Sequence, residues 1–374
     1  MKIFDRGSLN LGVLLGIPVK IHWTFGYIVA WVAYIGYSEN LGIFGALWYF
    51  LFTMILFTCV VLHEYGHALT AKQFGIKTED IMLTPLGGIA RLARMPDKPW
   101  QELLVAIAGP LVNVAIVLLL LVFIYIFPQY SWNGWDGNSF NLYMDRSKFP
   151  VAILIVNVGL VLFNLLPIFP MDGGRVLRAL LAMRLSKVKA TLIAARIGQV
   201  LALGLFTLGL YLGAFTLTFI GLFIFYAAYS EYRFTKTEEF FKSKQASELV
   251  SYDYSTIDLG DLIQNAREQI RFTPQHIFPV SDRQYISGSL RSTDLQDIGL
   301  DPYAPILTVP LRNIFRIMGD ATLMPLFRYF IDDKGDLAVV TMPDGTEGII
   351  DKISFYKFLQ KNRIIRLKTM NLEA

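Results

Sequence analysis

His63-Glu64-Tyr65-Gly66-His67 sets two imidazoles four residues apart with a carboxylate beside the first. On an α-helix such residues lie one above the other on one face, so the pair can share a single ion while Glu64 stands next to it. The chemistry this arrangement suits is metal-assisted hydrolysis, with imidazole nitrogens holding zinc and a neighbouring carboxylate moving the proton of a water. The chain has 4 histidines (His22, His63, His67 and His276) and 1 cysteine, Cys59. A cysteine cluster and an internal disulfide are therefore excluded, and any metal must be held by His, Asp or Glu.

Two histidines leave a tetrahedral catalytic zinc one protein ligand short. The acids within or beside the other apolar stretches are Glu39, Glu102, Asp172 and Glu231. The histidine pair lies about 7–12 residues before the inner end of its stretch, roughly 10–18 Å deep at helical rise. Asp172 follows a segment in which Pro167 and Pro170 must break the helix, so the chain can turn back to that depth. Glu39 falls at the opposite end, and Glu102 and Glu231 sit at stretch ends without such a break. Asp172 is the favoured third ligand and Glu102 a competitor; a plain helix-capping Asp ahead of Gly173-Gly174 is the alternative for Asp172.

The elements that must position these groups are set by composition. Of 374 residues 54% are hydrophobic and only 17% charged, too apolar a balance for a soluble enzyme of this length. Six stretches are long enough to be read as crossing helices: 21–37, 43–74, 100–127, 149–169, 190–212 and 215–231, the last two joined tightly at Gly213-Ala214. The motif falls inside the second. An ionisable group at membrane depth costs on the order of 2.5–3.5 kcal/mol, which argues that three of them there serve a purpose. Lys and Arg gather before the first stretch, after the second (Lys72, Lys77, Arg91, Arg94, Lys98) and after the fourth (Arg175, Arg178, Arg184, Lys187, Lys189). The positive-inside rule then puts both termini in the cytosol, with only Arg146 and Lys148 in the outer connection 128–148. The net charge of +4 is scattered, which fits a membrane surface and excludes a nucleic-acid partner. The apolar run from Leu11 to Val19 contains Pro18 and no small-residue cleavage site, so it is not read as a removable signal.

Between the second and third stretches, Thr78 to Met95 reads as a hairpin around Pro85-Leu86-Gly87-Gly88, too short to cross. Residues 1–232 form the membrane unit, 233–245 a charged linker, and 246–374 a tail of ordinary soluble composition. The tail reads as two faint repeats, 246–300 and 305–362: Tyr254–Ile257 resembles Asp320–Leu323, and Pro279-Val280 and Val339-Val340 lead to Gly288 and Gly348, sixty residues apart.

Taken together, the chain resembles the site-2 protease family of intramembrane zinc metalloproteases. The resemblance rests on His63 to His67, on Asn164-Leu-Leu-Pro167-Ile-Phe-Pro170-Met-Asp172-Gly173, and on Gly109-Pro110-Leu-Val-Asn113, and it covers about residues 8 to 232. Met171 stands where the family usually has leucine. The opening Gly16–Trp23 and the paired tail are similar to the branch with cytosolic CBS-type modules. The fold class implied is an α-helical multi-spanning membrane protein with a C-terminal α/β CBS-like pair. The resemblance implies one zinc per chain on His63, His67 and Asp172, Glu64 as the proton carrier, a transmembrane protein as substrate in contact with membrane lipid, and the plasma membrane as location. Asn164 would sit two helical turns before Asp172 if that stretch stays helical, where its amide could stabilise an oxyanion or make an interhelical hydrogen bond; the family tips the choice to the former. CBS-type pairs bind adenosine nucleotides through G-x-x-[TS]-x-x-D and can form homodimers. Here Gly288-Ser-Leu-Arg291-Ser-Thr-Asp294 keeps the acid but has Arg at the hydroxyl position, and Gly348-Ile-Ile-Asp351-Lys-Ile-Ser354 loses both, so the nucleotide stays open against a structural role. A transporter or channel with a regulatory tail, and an inactive scaffold, are the competing classes. The first predicts polar residues spread along several stretches, and the second has no need of Glu64.

Overall fold

The structure, a computed structural model, describes residues 7–85, 87–130, 148–283, 285–296, 299–362 and 364; Leu86 of the expected turn and Arg146 of the expected outer connection lie outside these. The chain divides into two compact units, Met1–Arg233 and Phe234–Ala374.

In the first unit, β1 (Ser8–Leu14) and β2 (Ile17–His22) form a hairpin, followed by α1 (Gly26–Ser38) and the 32-residue α2 (Gly42–Gln73). A second hairpin, β3 (Thr78–Thr84) and β4 (Gly87–Leu92), joins it in one sheet of order β1-β2-β3-β4. β2 runs parallel to β3, as the long α2 crossover between them allows, and β4 is the outer strand. The hairpin expected at 78–95 is present. The run from Leu11 to Val19 lies in β1, β2 and the turn between them. Because sheet pairing holds Ile17–His22 extended, the first helix starts only at Gly26, five residues later than the expected 21–37 stretch, and its 13 residues span about 20 Å.

Asp80 of β3 is 2% exposed yet charged, and it is matched by Lys20 of β2 at 2.9 Å and by the Arg91 guanidinium of β4. Removing one partner of such a buried group costs about 3–5 kcal/mol, so these pairs pin three strands together.

Then follow α3 (Pro99–Ile126), α4 (Phe149–Asn164), α5 (Asp172–Ala182), α6 (Lys187–Tyr211) and α7 (Phe215–Ser243). By length and composition α2, α3 and α6 can cross a membrane, whereas α4 has 16 residues. Their apolar side chains do not all turn inward: Leu118, Leu119 and Val122 of α3 and Val200, Leu203 and Leu210 of α6 are exposed. Helices apolar all round, with large side chains outward, suit a lipid surround. α6 and α7 form a helical hairpin, with Gly213 at φ +67 and no room for a side chain at Gly209 beside Thr218. The charged stretch 233–245, expected as a linker, continues α7 as helix to Ser243, since nothing in it breaks a helix.

In the second unit, β5 (Ile257–Asp258), α8 (Ile263–Arg271), β6 (Ile277–Asp282) and β7 (Tyr285–Arg291) make one repeat. The other consists of β8 (Ile314–Met318), α9 (Met324–Ile331), β9 (Leu337–Thr341), β10 (Glu347–Asp351) and α10 (Lys352–Lys361). Each has a parallel pair followed by an antiparallel hairpin, in sheets of order β5-β6-β7 and β10-β9-β8. Val280 faces Gly288 in one sheet and Val340 faces Gly348 in the other, so the sixty-residue offset holds at that rung. The pairing of Tyr254–Ile257 with Asp320–Leu323 does not hold. Ile257 lies opposite Val280 as Ile317 lies opposite Val340, and the buried Leu323 corresponds to Ile263, each sixty residues on.

Candidate metal centre

The motif lies on α2 where the helix meets α3 through two glycines. A Cβ on Gly66 would strike the Ala108 carbonyl, and one on Gly109 would land on the Nε2 atoms of both His63 and His67. Only glycine at both places lets the helices approach this closely and leaves open the space into which the imidazoles point.

His63, His67 and Asp172 are buried and converge. His63 Nε2, His67 Nε2 and Asp172 Oδ2 are each 3.1 Å from the other two. Donor atoms that share one tetrahedral zinc at its usual bond lengths lie roughly 3.3 Å apart, so the triangle has the size such an ion needs.

The protons on the rings sharpen this fit. His67 Nδ1 is 2.7 Å from the Val105 carbonyl, which can only accept, so Nδ1 carries the proton and Nε2 presents a lone pair. His63 reaches the same state through a relay. The Ile153 carbonyl accepts from Asn157 Nδ2 at 2.8 Å, Asn157 Oδ1 accepts from Asn113 Nδ2 at 2.8 Å, and Asn113 Oδ1 accepts from His63 Nδ1 at 2.5 Å. A backbone carbonyl has one possible role, and it dictates the direction of every bond back to His63. Two nitrogen lone pairs and a carboxylate oxygen thus face one another in a buried pocket. That arrangement is repulsive on its own and favourable around a cation, so the residues present fit a zinc ion.

Asp172 arrives through the break expected at Pro167 and Pro170, although the helix before it ends five residues earlier than the expected 149–169 stretch. α4 stops at Asn164, the seven-residue loop 165–171 carries Pro167 and Pro170, and Asp172 is the first residue of α5. Cβ atoms on Gly173 or Gly174 would collide with backbone of Leu165, Leu166 and Ile168, so α5 can start this close to the loop only with glycines there. Because the helix ends, the two-turn relation between Asn164 and Asp172 is lost. Asn164 is half-buried and makes no hydrogen bond with His63, Glu64, His67 or Asp172 among the described residues. Glu64 is half-buried beside His63, and its Oε2 accepts from the Ala90 N–H of β4 at 2.8 Å. Gly88 of the same strand lies against the Glu64 side chain, where a Cβ would have no room.

The competitor Glu102 is not free to bind metal, because the Arg178 Nε donates to its Oε1 at 2.6 Å, and Glu231 takes the other side of that guanidinium at 2.5 Å. His22 caps the turn into α1 beside Thr24, and Glu39, Arg196 and His276 are exposed. Gly109 and Asn113 belong to a motif that carries the resemblance, but neither the space left by Gly109 nor the pairing of Asn113 with Asn157 is visible in it. The clue for the two amides was their presence in apolar helices, where an unpaired amide is costly and must have a partner.

In the tail, Asp294 accepts from Arg312 Nε and Nη2 at 3.1 and 3.2 Å and from the Arg291 N–H at 2.9 Å. Burial pushes the Asp294 carboxyl up, and these hydrogen bonds outweigh it, leaving the group below the ordinary carboxylate range. Arg291 in turn pairs with Asp336, and Asp351 caps α10 through the Ser354 N–H at 2.8 Å.

The family model for Peptidase family M50 matches residues 51–147 and 138–205. A zinc metalloprotease of Methanocaldococcus jannaschii is 39% identical over 256 residues, 68% of this chain and 69% of that protein. A Synechocystis protein is similar along 96% of this chain, 28% identical over 381 residues and 97% of its own length. The solved site-2 protease of M. jannaschii is 36% identical, covering 60% of this chain and 95% of that one with a TM-score of 0.43. A CBS-domain structure from Oenococcus oeni is 21% identical over 33% of this chain, with a TM-score of 0.29. With so extensive an identity to a zinc metalloprotease, the chain belongs to peptidase family M50, whose members of the site-2 protease kind are integral membrane metalloproteases.

Proposed function

We propose that the chain cuts peptide bonds within or near the transmembrane segments of other membrane proteins, using one zinc held by His63, His67 and Asp172. The observation that carries this reading is the 3.1 Å triangle of their lone-pair atoms, two of them on α2, a helix long and apolar enough to cross a membrane. When bound, the metal supplies Lewis acidity to the scissile carbonyl and to the attacking water. Glu64, next to His63 and oriented by the Ala90 N–H, takes the proton of that water and delivers it to the leaving amine. Asn164 is assigned, on family resemblance, to hydrogen-bond the substrate carbonyl.

A substrate helix hides its carbonyls in its own hydrogen bonds, so it must unwind before attack. β4 is the outer strand and touches Glu64 through Ala90, which favours addition of the extended substrate to that edge. Six crossings with both termini cytosolic in the plasma membrane complete the reading, supported by the Lys and Arg of 72–98 and 175–189. Residues 246–374 are assigned as a CBS-like pair, supported by the two matching sheets, and a homodimer through this tail belongs to the same reading. No nucleotide is assigned to it: Asp294, the acid that would grip a ribose, already holds Arg312. The domain bounds 1–232 and 246–374 remain part of the proposal.

Cleavage-site mapping on a co-expressed single-span substrate tests the function. Fragment ends inside the apolar span are expected, and prolines placed singly from 87 to 92 should lower cleavage by tenfold or more at the positions that pair. Ends found only in soluble loops would contradict the reading, and indifference to every proline would remove strand addition.

A further inference from the structure

We propose that Arg178 is a positioning residue for the metal site, holding the Asp172 carboxylate and the His67 imidazole in one rigid frame; this rests on the metal reading above. Asp172 opens an 11-residue helix entered from a loop with two prolines, so its place depends on what anchors α5. Six residues on, Arg178 is 2% exposed, and its guanidinium meets three elements. Nε and Nη2 reach Glu102 Oε1 of α3 at 2.6 and 2.5 Å, Nη1 reaches Glu231 Oε1 of α7 at 2.5 Å, and the group lies 5.2 Å from the centre of the Phe169 ring.

Both sides of the metal site meet in this one group. Glu102 lies one helical turn before Val105, whose carbonyl fixes the proton of His67. Phe169 lies three residues before Asp172, in the loop that delivers it. A guanidinium fork constrains direction as well as distance, which an ammonium does not. Sliding α5 by one residue along α3 would move Asp172 about 1.5 Å, whereas a ligand set must be held within about 0.5 Å. The fork supplies that constraint from outside the ligand set.

Zinc affinity of the full-length chain in detergent, read by chelator competition, and the visible spectrum of the cobalt-substituted protein test this. Arg178→Lys, Arg178→Gln and Glu102→Gln should each weaken zinc binding by about 10–100-fold and alter the cobalt bands. Asp80→Asn disrupts an equally buried charge cluster in the same unit that contacts none of the ligands; it should lower thermal stability and leave zinc affinity within about twofold. Should Arg178→Gln fail to fold, Glu102→Gln and Arg178→Lys carry the test. Unchanged affinity and spectra in the Arg178 and Glu102 variants, or equal weakening by Asp80→Asn, would overturn the proposal while leaving the metal reading intact. A wild-type chain that takes up no zinc would remove both.

Discussion

Glu64→Gln is expected to keep its zinc and its fold while losing cleavage of a single-span substrate by about 10²–10⁴-fold, the worth of a positioned acid–base group. The carboxamide retains an oxygen to accept the Ala90 N–H, so the contact between α2 and the outer strand survives. What it loses is basicity, and Glu64 is not among the three converging donors. Turnover measured beside metal content separates the two roles. Undiminished cleavage with zinc in place would remove Glu64 from the chemistry.

Gly109→Ala is expected to weaken zinc binding. A single methyl there would overlap both Nε2 atoms, closer than side chains approach in folded proteins, and α3 cannot retreat without opening the adjacent Gly66–Ala108 contact. Overpacking of this kind costs about 1–3 kcal/mol, and here the relief most easily taken is rotation of the imidazoles away from Asp172. Zinc affinity should fall by about 10–100-fold, while Gly204→Ala in α6, where a Cβ meets nothing within 4 Å, should bind zinc as before. Equal affinities in the two variants would contradict the geometry.

Much of this was legible in the residues. The histidine pair and Glu64 announce themselves because four-residue spacing on a helix is a local property, and the proline pair before Asp172 marks a backbone break wherever it occurs. The hairpin at Thr78–Leu92 and the sixty-residue offset of the tail were readable for the same reason, since turns and strand periodicity are written over a few residues. What escaped depends on contacts between distant positions. Asn113 is 50 residues from His63, and Arg178 is 76 from Glu102; no local pattern pairs them. The value of Gly109 lies in an empty volume, which a sequence does not display. The end of α4 at Asn164 undoes the expected two-turn spacing to Asp172, because helix termination beside two prolines removes the shared face on which Asn164 was placed. The opening strands were missed as strands because sheet pairing with β3 comes from a distant segment, Val19 facing Ile81.

The Asn157–Asn113–His63 relay also shows how an apolar bundle can set a tautomer. Each polar atom in it has a partner, and its direction is fixed at a backbone carbonyl that cannot reverse. The Nε2 lone pair of His63 is therefore set by a carbonyl three hydrogen bonds away.

The zinc content of the purified full-length chain bears most directly on all of this. One zinc per chain in the wild type, lost on His63→Ala and on Asp172→Ala, is the expected result. A wild-type chain without stoichiometric zinc, or an Asp172→Ala chain that keeps it undiminished, would contradict the account.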